Sequence, residues 1–137
     1  MTDIEPQRHR EHRDGKHREL TKQIIGAAIE VHRSLGPGLL ESVYERCLAH
    51  EFSLQNMAFE EQKLIVVQYK GAVLDAELKA DFIVCGKVIV ELKSVDTVLP
   101  VHRAQILTYM KLTGCEVGLL IKFNVEQLIK GIERFTL

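Results

Sequence analysis

The sequence predicts an α/β domain built in the order two helices, three strands, a third helix and a closing strand. Three observations carry this expectation. Apolar residues recur at steps of three and four over 19–35 and 39–54, the period of a helix that buries one face. Between 64 and 93 the pattern changes to short runs rich in β-branched residues, punctuated by Lys70-Gly71 and Cys85-Gly86-Lys87. A helical stretch returns after Pro100, and the apolar run VGLLIKF at 117–123 then has the length of a strand covered on both faces.

Residues 1–18, MTDIEPQRHREHRDGKHR, mix both charge signs with few apolar groups and cannot offset the entropy of ordering, so they read as a flexible charged tail. His9, His12 and His17 are read as polar residues of that tail rather than as a metal site. The domain proper is expected over 19–137. Its first helix, 19–35, places Leu20, Ile24, Ala28, Val31 and Leu35 on one face. Gly36-Pro37-Gly38 ends it, because proline lacks the amide donor a helix interior needs. The second helix, 39–54, carries Leu40, Val43, Cys47 and Leu48 on its apolar side.

Strands follow at 64–69 and 73–78, and the segment 79–84 either continues the second or follows a bend near Glu77. Cys85-Gly86-Lys87 is a short hairpin loop with a glycine free to take positive φ, leading into 88–93. Pro100 opens the third helix, 100–113, where its missing N–H costs nothing, with Asp96 or Thr97 as cap or lead-in. Gly114 ends that helix. The stretch 125–137 reads as either a short strand or a helical turn.

A chain of 137 residues fits one domain, and 46% hydrophobic with 27% charged residues is the balance of a folded globular protein. A formal charge of −1 excludes a protein that coats nucleic acid by bulk electrostatics, leaving only local patches among residues such as Lys63, Lys70, Lys79, Arg103 and Lys111. No apolar run approaches about 18 residues and the N-terminus has no hydrophobic leader, so a cytoplasmic location without a membrane partner is expected. Cys47, Cys85 and Cys115 are far apart and form no Cys-x-x-Cys pair, which points to small buried apolar groups rather than a disulfide or zinc framework. Neither a G-x-S-x-G elbow nor a complete phosphate-cradling glycine loop occurs.

The hairpin carries the charges that require explanation. With Gly86 at its centre, paired positions sum to 172, which sets Asp81 opposite Glu91 and Ile83 opposite Ile89. Strand alternation puts Lys93 on the face of Glu91 and turns Val88, Val90 and Leu92 to the other, core side. Two opposed carboxylates repel, and burying them unpaired costs several kcal/mol. A hard cation such as Mg²⁺ relieves that cost, since it prefers carboxylate oxygens and keeps positions for water and phosphate. Spacing alone is equally compatible with a solvent-facing hairpin whose lysine merely offsets its acids.

The surrounding motifs separate these readings. Gly38-Leu39-Leu40-Glu41-Ser42-Val43-Tyr44 has the form G-x-x-E-x-x-Y and resembles the bacterial family named for that motif, which is assigned to the PD-(D/E)xK nuclease superfamily. Asp81 and Glu91-Leu92-Lys93 are similar to the superfamily's acid and E-x-K elements, and Gln105 to Tyr109 looks like its Q-x-x-x-Y element. Ala80 stands where the superfamily's name has proline. The match covers about 19 to the C-terminus.

The resemblance implies an α/β sandwich with a mixed central sheet, a three-stranded meander and flanking helices. It further implies Asp81 and Glu91 as ligands of Mg²⁺ or Mn²⁺, with the Leu92 carbonyl as a third and Glu41 reaching in from the second helix. Lys93 would orient or activate the attacking water, while Gln105 and Tyr109, four apart on one helix, would hold the substrate strand or the lysine. The implied chemistry is metal-assisted hydrolysis of phosphodiester bonds in DNA or RNA. The alternative is a non-catalytic module that keeps the fold and binds nucleic acid or protein. Because no specificity domain is recognised, substrate choice is expected to depend on a protein partner or self-association.

Overall fold

The computed structural model describes residues 15–137, so the tail histidines His9 and His12 lie outside the described residues. Helix α1 spans Arg18–Leu35 and α2 spans Glu41–Leu54. The strands are β1 Phe59–Tyr69, β2 Ala72–Val84 and β3 Val88–Lys93, followed by α3 Pro100–Thr113, β4 Val117–Lys122, a 3-10 turn Leu128–Gly131 and β5 Ile132–Thr136. One five-stranded sheet holds the strands in chain order. β3 and β4 pair in parallel across the α3 crossover, and the other neighbours are antiparallel. The expected mixed sheet with flanking helices is therefore present.

Helices cover both faces of the sheet. Phe82, Val84, Val88, Val90, Leu92, Leu119 and Ile121 pack with Ile24, Ala28, Val31, Leu48 and Phe52 of α1 and α2. Phe52, Phe59 and Phe82 add ring contacts with centroids 5.3–5.8 Å apart, each worth about 0.5–1.5 kcal/mol beyond its buried area. On the opposite face Ile83, Ile89 and Leu120 pack under Ile106, Tyr109 and Met110 of α3. The sequence reading assigned the core only to the Val88, Val90 and Leu92 side. The crossover helix gives the second side a core of its own.

Several boundaries differ from the sequence expectation. β1 begins at Phe59 instead of 64, because Glu60, Glu61 and Lys63 are exposed on an edge strand and take part through the backbone. The segments 73–78 and 79–84 are one strand, β2, broken by a bulge at Asp75–Glu77. There the register with β1 shifts, Glu77 has φ 58°, and its N–H donates to Asp75 Oδ1 at 2.9 Å. The C-terminal stretch contains both the turn and the strand.

Helix α2 starts at Glu41 and buries Tyr44, Leu48 and Phe52, whereas Leu40 is 73% exposed and Val43 also faces out. Its orientation is set by Tyr44, whose ring stacks on Phe123 at 4.3 Å. On α1, Ile24, Ala28 and Val31 are buried but Leu35 is not. Leu99, and neither Asp96 nor Thr97, caps α3, and its N–H donates to His102 Nδ1 at 3.0 Å. Cys115 is buried as expected, while Cys85 is exposed in the hairpin turn. No helix among the described residues is long and apolar enough to cross a membrane.

Candidate metal and phosphodiester site

The site is where β2 and β3 part. In the loop 85–87, Cys85 and Gly86 both have positive φ, 54° and 65°, and Lys87 N–H closes the turn on the Val84 carbonyl at 3.0 Å. Such a turn matches the right-handed twist of the strands and fixes the register. Val84 pairs with Val88, Ile83 with Ile89 and Phe82 with Val90. One step further along, Asp81 and Glu91 face each other as the sum of 172 requires. There the ladder gives way to side chains.

Asp81 N–H donates to Glu91 Oε2 at 2.7 Å, and Leu92 N–H donates to Asp81 Oδ2 at 2.8 Å. Each carboxyl group thus replaces a carbonyl acceptor of the opposite strand. β2 diverges to stay with β1, and β3 continues beside β4 as far as Lys93 and Lys122. This splay leaves the two acids, held by backbone, at the point where the strands separate.

Glu91 is 5% exposed, so the picture of a charged hairpin facing solvent fails for this residue. Burial, and then the negative charge of Asp81, push its carboxyl up to about 8, against the opposing effects of the Asp81 N–H bond and Lys93. Asp81 is also raised, by burial first and with Glu41 adding repulsion, while the Leu92 and Gln62 bonds and Lys93 pull the other way. Lys93 is half-buried.

Glu41 opens α2, and its Oε2 accepts Ser94 N–H at 3.0 Å, while Ser94 Oγ donates to the Leu39 carbonyl. The helix N-terminus is thereby fastened to the residue after β3. Tyr44 completes the fastening: its hydroxyl donates to the Gly36 carbonyl at 2.6 Å and accepts Leu39 N–H at 3.1 Å. The tyrosine of G-x-x-E-x-x-Y is therefore a buried clamp on the loop that delivers Glu41. Gln105 Nε2 donates to the Tyr109 hydroxyl at 3.0 Å, so these two do share one side of α3, with Tyr109 buried in the core beneath that helix.

Two site members escaped the sequence reading. Gln62 Nε2 donates to Glu45 Oε1 at 2.8 Å and to Asp81 Oδ1 at 3.2 Å, tying α2 to the hairpin. Glu45 is raised to about 7, by burial first, then by its contact with Glu61 and the charge of Asp81. Its place four residues after Glu41, hence on the same helix face, was the available signal. Gln62, at φ 52° in a polar edge segment, offered none.

The donor set is all oxygen and carries excess negative charge in a partly dry setting, which suits a hard divalent cation. Among the described residues no three His, Cys, Asp or Glu side chains converge on one point. Asp81 and Glu91 would hold such an ion, which would supply positive charge to polarise a bound phosphate.

Helices on both faces of a mixed sheet, with an acid and an E-x-K element at its splayed hairpin, define a nuclease-type α/β domain. The chain belongs to the PD-(D/E)XK nuclease superfamily, whose sequence pattern it matches over residues 18–135. Neither the curated proteins nor the solved structures contain a significant match to it.

Proposed function

We propose that this chain is a divalent-metal-dependent nuclease that hydrolyses phosphodiester bonds in DNA or RNA, and that it is a member of the G-x-x-E-x-x-Y family within the superfamily. The observation that carries the reading is the backbone-held pair of half-buried Asp81 and buried Glu91, with Lys93 on the same strand face. An acid held up to about 8 by burial and a neighbouring carboxylate is costly to keep unless a cation uses it.

Asp81 and Glu91 hold Mg²⁺ or Mn²⁺ in this reading, with the Leu92 carbonyl as a third ligand and Glu41 contributing from the α2 N-terminus. The ion, when bound, supplies the positive charge that polarises the phosphate and acidifies water. Lys93 orients the attacking water and offsets charge on the phosphate. Gln105 and Tyr109 position the substrate strand or the lysine. The protein acts in the cytoplasm, and a protein partner or a second copy selects the substrate.

The test is incubation with Mg²⁺ or Mn²⁺ and single-stranded, duplex and branched DNA and RNA, beside Glu91→Ala. Absence of cleavage on every substrate, or equal cleavage by the variant, defeats the proposal. Calorimetric titration of Mn²⁺ into wild type and Asp81→Ala tests the ligands separately, and undiminished binding by the variant removes Asp81 from the set.

One observation favours the second reading, a nucleic-acid- or protein-binding module without turnover. An oxygen of Glu41 is occupied by Ser94 N–H, which competes with its use as a metal ligand. Tight nucleic-acid or protein binding that survives Asp81→Ala and Lys93→Ala, with no cleavage, is its signature.

A further inference from the structure

Beside the acid pair, at the C-terminal ends of the two parallel strands, lies a second feature that the hydrolytic site does not use. Lys93 of β3 is paired in register with Lys122 of β4. Parallel partners project to the same face about 4.8 Å apart, and like charges so placed are unfavourable without an intervening anion. Lys93 has Asp81 and Glu91 to balance it. Among the described residues Lys122 forms no ion pair. Its Nζ donates to the Asp96 carbonyl at 2.9 Å, which uses one of the ammonium's three donors and leaves two for a ligand.

Lys122 borders a cavity of about 290 Å³ that Asp96, Arg103, Lys130 and Glu133 also line. Of the two acids there, Glu133 is ion-paired with Arg103, while Asp96 is bonded to a neutral amide and keeps its charge. Asp96 Oδ1 accepts Asn124 Nδ2 at 2.5 Å, and both oxygens of Glu133 accept Arg103 Nε, at 2.8 and 3.1 Å. Lys130 is exposed and has no partner among the described residues. Its turn is nonetheless seated firmly: a Cβ at the adjacent Gly131 would lie 2.3 Å from the Lys122 carbonyl, so the 3-10 turn rests directly on the end of β4. With Arg103 paired to Glu133, the two lysines outnumber the one remaining acid, Asp96, and the segments that carry them are held by one backbone contact.

We propose that Lys122 and Lys130 form a phosphate subsite that holds a backbone phosphate of a single polynucleotide strand, next to the phosphate engaged at Asp81, Glu91 and Lys93. This rests on the nuclease reading for the direction of the strand across the sheet end. It also explains how a chain with a net charge of −1 engages a polyanion, by a short local track in place of a basic surface.

The experiment is fluorescence anisotropy with a labelled single-stranded oligonucleotide over a salt series, in chelator so that nothing is cut. Wild type is compared with Lys122→Gln/Lys130→Gln, Lys130→Gln and, as control, the exposed Lys22→Gln on α1. Each phosphate contact on a single strand contributes about 0.7 to the slope of log affinity against log salt, so the double variant is expected to lower the slope by about 1.4 and Lys130→Gln by about half of that. Lys130→Gln, at an exposed turn, keeps the test decisive if the double variant folds poorly. Wild-type slopes in both variants overturn the subsite. Affinity that grows from mononucleotide to longer strands supports a strand site, and affinity no greater than for inorganic phosphate overturns it. A wild type that never cleaves but shows the slope change refutes the nuclease reading and leaves the subsite standing.

Discussion

Metal affinity is expected to depend steeply on pH, and the dependence follows from Glu91. A carboxylate must lose its proton before it can ligate a cation. With Glu91 held up to about 8, it is ionised in about one molecule in a hundred at pH 6, one in ten at pH 7 and half at pH 8. Apparent Mn²⁺ affinity should therefore rise about tenfold between pH 6 and 7 and level off above 8, with Asp81, also raised, steepening the lower part. Calorimetry in two buffers of different ionisation enthalpy should show close to one proton released per ion at pH 7. Stability without metal runs the opposite way. A carboxylate raised in the folded state contributes stability that is fully present below its ordinary value of 4.5 and is lost as pH rises through about 8. The unfolding midpoint should fall over that range, and saturating Mn²⁺ should reverse the trend. Affinity that stays flat from pH 6 to 7, with no proton released, refutes the reasoning.

Other outcomes follow from the same geometry. Glu91→Gln keeps an oxygen for the Asp81 N–H but removes the buried charge. Its metal-free form should gain on the order of 1–3 kcal/mol at pH 8 in urea unfolding, while Mn²⁺ binding is lost. Tyr44→Phe leaves the Gly36 carbonyl and Leu39 N–H without their shared partner, and should cost about 1–3 kcal/mol by the same assay. Gly131→Ala drives a Cβ against the Lys122 carbonyl and should lower stability by about 1–3 kcal/mol, measured as the thermal midpoint, with weaker strand binding as the lysines separate.

The hairpin was legible in the sequence because one glycine turn and a period of two fix both its register and its faces. Asp81 opposite Glu91 follows from Gly86 and arithmetic. The helices were legible as elements, since their apolar periods are long. The orientation of α2 was not, because a tyrosine with two hydrogen-bond partners outranks the apolar Leu40 and Val43 for the buried face. β1 was truncated because pattern reading expects alternation, and an edge strand gains its order from backbone pairing instead. The bulge at Asp75–Glu77 left a trace only as an unresolved bend. Gln62 was invisible for a different reason, and it draws in Glu45: its one amide bridges a helix and a strand far apart in the chain.

The three-residue loop Cys85-Gly86-Lys87 sets the length of the return path between Asp81 and Glu91. Insertion or deletion of a single residue there would exchange the two faces of β3. Val90 and Leu92 would then take the place of the acid beside Asp81, and a carboxylate would enter the apolar layer beneath α1 and α2. The loop is thus constrained in length, and at Cys85 and Gly86 also in residue type, since both have positive φ.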